Sequence, residues 1–220
     1  MGKVTKKILG ATRGKVGDVV FRKFRMANVD SAYQPNPFNP NTEAQRLQRG
    51  KFAVMSNLAQ EMAPAINKGF TFAVKGTMLS PRNRFIRENK ACFTGSDPNL
   101  ITINWLALKV SRGSRSPCNF ATPSFDNPLE VQATFTTEDA TADSNNQVYL
   151  VVYAQDAKES VLSAPAKLED GLVSVTVPSR WNGLKVQVYA MEFSAADHPE
   201  DYIVKGQPYA SIYVGQGNIG

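Results

Sequence analysis

Apolar residues recur with a helical period in the front half of the chain. One stripe of them consists of Leu47, Val54, Leu58 and Met62. Their steps of seven and four residues place the side chains on one face of a helix. Thr42 precedes the stripe as a potential N-cap, and Gln45 follows it by three residues, as in a capping box. The pattern therefore predicts a helix that begins after Thr42 and that Pro64 ends or bends.

A second, shorter helix is predicted after Ser80, which can act as an N-cap with Pro81 at the first helical position. Its polar side chains are mostly cationic and include Arg82, Arg84, Arg87 and Lys90. Between the two predicted helices, residues 70–79 alternate only weakly, which predicts either a short strand or an irregular link.

From about residue 100 onwards, short apolar runs separated by turn residues replace the helical pattern. The predicted strands span 100–110, 129–135, 147–154, 160–163, 172–177, 184–193 and 209–214. Short strands at this spacing are typical of an antiparallel sandwich of the immunoglobulin or fibronectin type III style. The predicted fold class is therefore α+β and mainly β.

These patterns divide the chain into three segments: an extended basic arm rich in Gly and Pro over 1–41, a helical segment over 42–98, and a β-sandwich domain over 99–220. In the arm, Gly14 and Gly17 predict a tight turn that leads into a strand through Val19 and Phe21. No Gly-Lys-Ser/Thr follows the glycines, which argues against a phosphate loop. Alternating Pro and Asn residues over 35–41 predict a surface connector, because proline disrupts both helices and ladders.

Charge is distributed unevenly along the chain. Residues 1–90 hold 17 Lys and Arg against 5 Asp and Glu, whereas residues 91–220 hold 8 against 14. The two halves can therefore attract each other across neighbouring copies, and the basic half can also face nucleic acid. A solvated basic surface without a partner is the third interpretation.

Candidate chemistry is sparse. The single histidine, His198, lies in an acidic loop, and the chain has no Gly-x-Ser-x-Gly, His-Glu-x-x-His or Cys-x-x-Cys motif. Glu138, Asp139 and Asp143 form a second acidic loop, which is more typical of a solvated tip than of a paired-carboxylate site. We therefore expect no enzyme, no cofactor and no metal site. Cys92 and Cys118 are expected to be inert thiols.

Neither a secretory signal nor an apolar run of about 18 residues is present, so no membrane contact is expected.

Aromatic residues suggest two binding hypotheses, each with a structural alternative. In the arm, aromatic side chains are interleaved with cations, namely Phe21, Phe24, Tyr33 and Phe38 with Arg22, Lys23 and Arg25. Such a set can stack on single-stranded nucleic acid, or the rings can anchor the arm in an apolar groove. In the sandwich, the rings of Tyr149, Tyr153, Trp181, Tyr189, Tyr202, Tyr209 and Tyr213 can form a carbohydrate platform, although most are expected in the core.

Two runs of residues carry a family resemblance: Ile8-Leu9-Gly10 with Gly14-Lys15-Val16-Gly17-Asp18-Val19-Val20-Phe21, and Asn39-Pro40-Asn41-Thr42-Glu43-Ala44-Gln45 with Arg49-Gly50-Lys51-Phe52. With Val148–Tyr153, Val175–Pro178 and Trp181, they resemble an uncharacterised family, a domain of unknown function, found in Bacteroidota and their phages. The segment Asn-Pro-x-Thr-x-x-Gln … Arg-x-x-Phe also resembles the N-terminal regions of phage virion proteins.

The resemblance implies a structural or assembly protein, such as a capsid, tail or accessory component of a virion. Its arm is expected to dock on other copies of the chain or on other virion proteins, in a virion or in the host cytoplasm, and the protein is expected to be an oligomer. The expected partner-binding residues are Gly14, Lys15, Gly17, Phe21, Arg22, Lys23, Phe24, Arg25, Arg46 and Arg49. The alternatives are a cytoplasmic nucleic-acid-binding protein that uses the basic half, and a carbohydrate-binding sandwich.

Overall fold

A computed structural model of the chain describes residues 2–4, 14–24, 27–36, 39–113, 118–137, 143–196 and 205–220. Helices occupy the middle of the chain, and antiparallel strands occupy its two ends. Several residues singled out in the sequence lie outside the described residues, namely Arg25, Phe38, Glu138, Asp139, His198 and Tyr202. The mixed α+β class with mostly antiparallel strands is confirmed.

Two of the three described α-helices, the first and the third, begin where the sequence predicts. Helix α1 spans Glu43–Glu61, α2 spans Ala63–Thr71 and α3 spans Pro81–Asn89. The Thr42 hydroxyl accepts a hydrogen bond from the Gln45 amide at 3.4 Å, and the Ser80 hydroxyl accepts one from the Asn83 amide at 3.1 Å. Both caps satisfy amides that the first helical turn leaves without a partner.

No strand forms at residues 70–79, because α2 continues to Thr71, a 3-10 turn follows at Phe72–Val74, and residues 75–79 form an irregular link. Phe70 is fully buried and forms an edge-to-face pair with Phe85 of α3, with the ring centroids 6.0 Å apart. Its aromatic ring is therefore buried by helix packing and not by strand pairing.

The strands are, in chain order, β1 (Gly2–Val4), β2 (Gly14–Val16), β3 (Val19–Phe24), β4 (Ala27–Ala32), β5 (Phe93–Thr94), β6 (Thr102–Ile103), β7 (Cys118–Phe120), β8 (Glu130–Thr137), β9 (Gln147–Ala154), β10 (Glu159–Leu162), β11 (Ala166–Lys167), β12 (Leu172–Thr176), β13 (Lys185–Phe193) and β14 (Ile212–Asn218). The main sheet has the order β10-β9-β13-β14, with β11 also paired to β9. A second sheet has the order β12-β8-β7, the N-terminal sheet has the order β1-β4-β3-β2, and β5 pairs with β6.

Both faces of the main sheet are covered. One face of β9 and β13 contributes Tyr149, Val151, Tyr153, Tyr189, Met191 and Phe193 to a core shared with the helices. The opposite face contributes Val148, Leu150, Val152, Ala154, Val186, Val188 and Ala190 to a core shared with β8 and β12. Because successive strand residues point to opposite faces, a strand buried on both faces is apolar without interruption, as β9 is from Val148 to Ala154.

Hydrogen bonds join the helical segment to the main sheet inside this arrangement. The Tyr153 hydroxyl donates to Glu61 Oε2 at 2.6 Å, and the Ser160 hydroxyl donates to the Glu61 carbonyl at 2.8 Å. The Tyr189 hydroxyl donates to the Trp105 carbonyl at 2.8 Å. The segments predicted as 42–98 and 99–220 therefore share one hydrophobic core across their boundary.

The predicted strand over 100–110 is wrong. Only Thr102–Ile103 pairs as a strand, and Trp105–Ala107 forms a 3-10 turn. The Asn104 side-chain oxygen accepts a hydrogen bond from the Ala107 amide at 3.3 Å and so caps the turn. Leu100 and Leu106 are 71% and 74% exposed, so the apolar run does not mark a core strand.

The cysteines are free thiols, as expected. Cys92 lies in the core beneath the helices, and Cys118 lies in the core between the two sheets. Burial raises the pKa of the Cys92 thiol, which keeps it protonated and unreactive.

Removing the helical segment is expected to destabilise the β strands. An isolated fragment of residues 99–220 exposes Tyr149, Val151, Tyr189 and Met191, and each side chain of this kind contributes about 1.5–3 kcal/mol when it is buried. We expect this fragment to bind a hydrophobic dye and to unfold at a much lower denaturant concentration than residues 42–220. Equal unfolding midpoints for the two fragments would contradict a shared core.

Two buried tyrosines are expected to make the fold sensitive to alkali. Burial raises the pKa of Tyr153 and of Tyr189, and the hydrogen bond to Glu61 adds to the effect at Tyr153. The folded state thus favours the neutral phenols. This contribution to stability is complete below the unfolded pKa of about 10 and is lost as the pH rises above it.

The free energy of unfolding should therefore fall above pH 10, by up to about 1.4 kcal/mol per pH unit for each tyrosine. The double variant Tyr153→Phe/Tyr189→Phe should show a shallower fall, as measured by denaturant unfolding from pH 8 to pH 11. Parallel curves for the variant and the wild type over that range would rule out the two phenols as the cause.

Candidate interaction surface

The N-terminal sheet is built around β3, the strand that the glycine pattern predicts. β2 pairs with β3 through the turn at Gly17 and Asp18, and β4 pairs with the other side of β3. Gly17 has φ +57° and Gly14 has φ +99°, both in the region that glycine adopts without strain. The tight turn and the strand after it are confirmed, and the segment predicted as an extended arm contains four strands paired with one another.

The strand register assigns the predicted partner-binding residues to two different faces. Val16 lies opposite Val19, and Phe21 lies opposite Gly14 and Asp30, so these residues share one face. The other face carries Lys15 opposite Val20, and Val20 opposite Ser31. By strand alternation Arg22 lies on the face of Lys15, whereas Lys23 lies on the face of Phe21.

This sheet has no buried core among its described side chains. From residue 14 to residue 23 and from residue 28 to residue 36, each described residue is at least partly exposed. Val16 is 61% exposed and Val19 is 39% exposed, although both are β-branched residues that favour half-buried positions. A small sheet with an uncovered apolar face usually needs packing against another element to be stable.

Exposed cations lie on both faces of the N-terminal sheet. The Lys15 ammonium lies 3.4 Å from the ring centroid of Tyr33, and an Arg22 guanidinium nitrogen donates to the Ser31 hydroxyl at 3.3 Å. Lys23 is exposed. The ring and the hydroxyl therefore orient two cations on the face of the sheet that is opposite to Val16 and Val19.

The two predicted arginines of helix α1 lie outside this sheet. Arg49 donates to the Asn41 side-chain oxygen at 3.3 Å and also to the Asn39 side-chain oxygen. It therefore fastens the connector to α1 at a point where Asn41 has φ +51°. Arg46 is exposed. Among the described contacts, none joins Arg46 or Arg49 to the sheet cations.

Most aromatic residues of the β-rich half are core residues, as expected. Tyr149, Tyr153, Trp181, Tyr189 and Tyr209 are all buried. Tyr213 is partly buried and packs edge-to-face on Tyr189, with the ring centroids 5.3 Å apart. These rings are therefore unavailable as an exposed carbohydrate platform.

The exposed apolar pair Val16 and Val19 is the feature of this surface that the sequence analysis missed. A signal was present, because Val16 and Val19 flank a two-residue turn and therefore face each other across the hairpin. The exposure of Val16 and Val19 was not predictable from the sequence, because exposure depends on how distant parts of the chain fold.

Among the described residues, no helix is both long and apolar enough to cross a membrane.

Comparison with known proteins links the chain to one family. No curated protein and no solved structure matches it. A family model described as a family of unknown function, DUF6266, matches residues 11–204, which include the helices and most of the strands. The chain therefore belongs to the DUF6266 family.

Proposed function

We propose that this chain is a structural protein that assembles into an oligomer through its N-terminal sheet. The observation that carries the proposal is the exposure of Val16 and Val19, which lie opposite each other on one face of this sheet. Buried apolar area is the main source of free energy in association, and a face already arranged as a sheet loses little conformational entropy on docking. Among the described strands, β2 lies at the edge of this sheet, where it can add backbone hydrogen bonds to a neighbouring strand.

The partner that fits this surface is the β-rich half of another copy. The described part of that half carries exposed carboxylates, including Asp126, Asp156, Glu169 and Asp170. Lys23, on the face of Val16 and Val19, supplies the opposite charge, and Lys15 and Arg22 on the other face add to the positive field of the sheet. Charge complementarity of this kind orients partners and speeds their encounter.

Within this proposal, the β-rich half is a sandwich of the immunoglobulin type. If β7, β8, β9, β10, β12, β13 and β14 are labelled A, B, C, C′, E, F and G, the sheets become A-B-E and C′-C-F-G. These are the neighbours of the immunoglobulin fold without its D strand. The fold departs from the immunoglobulin type in one respect, because helices cover the outer face of strands C and F (β9 and β13).

A virion of a phage of Bacteroidota is the assembly that we propose. Its support is the likeness of the segment from Asn39 to Phe52 to the N-terminal regions of phage virion proteins. Many identical subunits in such a particle would give each N-terminal sheet a neighbour to dock on.

Polar substitution of the exposed face should weaken self-association. The double variant Val16→Thr/Val19→Thr keeps the β-branched shape and removes a methyl group from each side chain. We expect its association constant to fall at least tenfold, because each buried methyl group contributes about 0.8 kcal/mol and the new hydroxyl must also lose water. Sedimentation equilibrium over a range of protein concentrations measures the change.

Val20→Thr is the matched control, because Val20 lies on the opposite face of the same strand. It should leave the association constant within about twofold of wild type. A wild-type protein that stays monomeric at high concentration would contradict docking between copies, as would equal losses for the two faces.

The exposed cations of β3 favour a second candidate, a nucleic-acid-binding protein. Arg22 and Lys23 are adjacent and exposed, and Lys15 sits on an exposed aromatic ring. Phosphate contacts from such residues make binding fall steeply with salt.

If nucleic acid is bound here, the triple variant Arg22→Ala/Lys23→Ala/Arg25→Ala should flatten the plot of log affinity against log salt. The slope should decrease by about 0.9 for each phosphate group of duplex DNA that the variant no longer neutralises. Fluorescence anisotropy from 50 to 300 mM salt gives the slope, with Lys185→Ala as a control for a general decrease in charge. If wild-type protein shows no salt-dependent binding to DNA or RNA in this range, the second candidate is excluded.

A further inference from the structure

A cleft of about 760 Å³ lies where the end of helix α2 meets the edge of the main sheet. Lys68, Lys75, Lys167 and Lys205 line it together with Phe72 and Asp143. Its volume falls in the usual range of small-molecule sites. Four cations and one acid are among the described residues of its wall, so these residues together carry a net positive charge.

Aromatic rings, and not carboxylates, position two of the four lysines. The Lys68 ammonium lies 3.9 Å from the ring centroid of Tyr149 and 5.1 Å from that of Phe193. The Lys75 ammonium lies 4.3 Å from the ring centroid of Phe72. Cation–π contacts orient an ammonium without neutralising it. In the described part of the chain, neither lysine forms an ion pair, so both charges are available to an anion.

The acid on the wall is hydrogen-bonded within its own turn. Asp143 accepts a hydrogen bond from the Asn145 amide at 2.9 Å and another from its side-chain nitrogen at 3.2 Å. Lys167 pairs with Glu169 at 2.8 Å. The charge available to an anion is therefore that of Lys68, on α2, and of Lys75, just after the 3-10 turn at Phe72–Val74.

Buried polar groups hold the sheet side of the cleft in place. The Glu192 carboxylate is 1% exposed and accepts a hydrogen bond from the Asn146 side-chain nitrogen at 2.7 Å. The Asn146 side-chain oxygen in turn accepts one from the Ala195 amide at 2.9 Å. The Gly206 amide donates to the Ser194 carbonyl at 2.8 Å, which joins the two strands of backbone that form the wall. A wall fixed in this way can bind a ligand with little cost in ordering.

We infer that this cleft binds a phosphate-bearing anion with several charges, held by Lys68 and Lys75 and approached by Lys167 and Lys205. No arginine is among the described residues that line the cleft, so the anion is held by ammonium groups, which bind phosphate as point charges. Tyr149 and Phe193 are buried, and Lys75 lies over one face of Phe72, so these rings offer little surface for stacking a base. The ligand is therefore recognised by its phosphates, either as a free polyphosphate or as a nucleic-acid backbone.

Titration calorimetry of the full chain in phosphate-free buffer at low salt tests the inference. Sodium tripolyphosphate is the first probe, and a single-stranded oligothymidylate is the second. The double variant Lys68→Gln/Lys75→Gln should lose at least tenfold in affinity for the probe that binds wild type. Lys185→Gln removes an exposed lysine at the start of β13 and should stay within twofold. Lys68→Arg/Lys75→Arg should retain most of the affinity, which separates the effect of charge from the effect of packing.

The two probes distinguish the source of the phosphate. Binding of tripolyphosphate alone identifies a free polyphosphate as the ligand. Tighter binding of the oligonucleotide, with the same sensitivity to substitution of Lys68 and Lys75, identifies a nucleic-acid backbone. Either result supports the site. The inference is overturned if neither probe binds, if Lys68→Gln/Lys75→Gln binds like wild type, or if Lys185→Gln loses as much. It is also overturned if oligonucleotide binding depends on Arg22 and Lys23 instead, or if a polyglutamate peptide binds as tightly as tripolyphosphate.

Discussion

The burial of β9 and β13 on both faces is the constraint on which the rest of the structure depends. Either face alone would make an ordinary half-solvated sheet, and both faces together require two separate covering layers. The three-stranded sheet supplies one layer and the helices supply the other. The helical segment is therefore part of the stabilising core of the β strands, which explains why the C-terminal end of α1 is joined by hydrogen bonds to β9 and β10.

A sheet buried on both faces must also satisfy its polar side chains internally. Gln187 is fully buried, donates to Gln216 at 3.2 Å and accepts from the Tyr213 hydroxyl at 2.8 Å. Tyr153 and Tyr189 direct their hydroxyls to groups of the helical segment and of the 3-10 turn. An unsatisfied partner in such a place costs about 1–3 kcal/mol, so these hydrogen bonds select one way of packing the helices on the sheet.

Local sequence signals predicted the helices and strands themselves better than the contacts that these elements make with one another. Thr42 and Ser80 mark helix starts because capping involves residues only three positions apart, and the run from Val148 to Ala154 marks a strand because burial on both faces leaves no polar break. The strand prediction for residues 100–110 is wrong because the side chain of Asn104 caps a turn inside this apolar run. In the candidate site, the turn at Gly17 was predictable, whereas the open face was not, since exposure depends on distant parts of the chain. The cleft is likewise invisible in the sequence, as its lysines come from positions 68, 75, 167 and 205.

The two ends of the chain contrast in a way that bears on function. The β-rich half has its apolar strands enclosed by the helices and by the three-stranded sheet, whereas the β-branched residues Val16 and Val19 of the described N-terminal sheet are exposed. Paired strands with an uncovered apolar face are also a risk for nonspecific association, which proteins counter with charged residues beside the exposed positions. Lys23 stands on the face of Val16 and Val19, and Lys15 and Arg22 stand on the opposite face. A sheet with cations on both faces is protected against most nonspecific encounters, and its exposed valines beside Lys23 remain open to a partner of opposite charge, which is the selectivity that an assembling subunit requires.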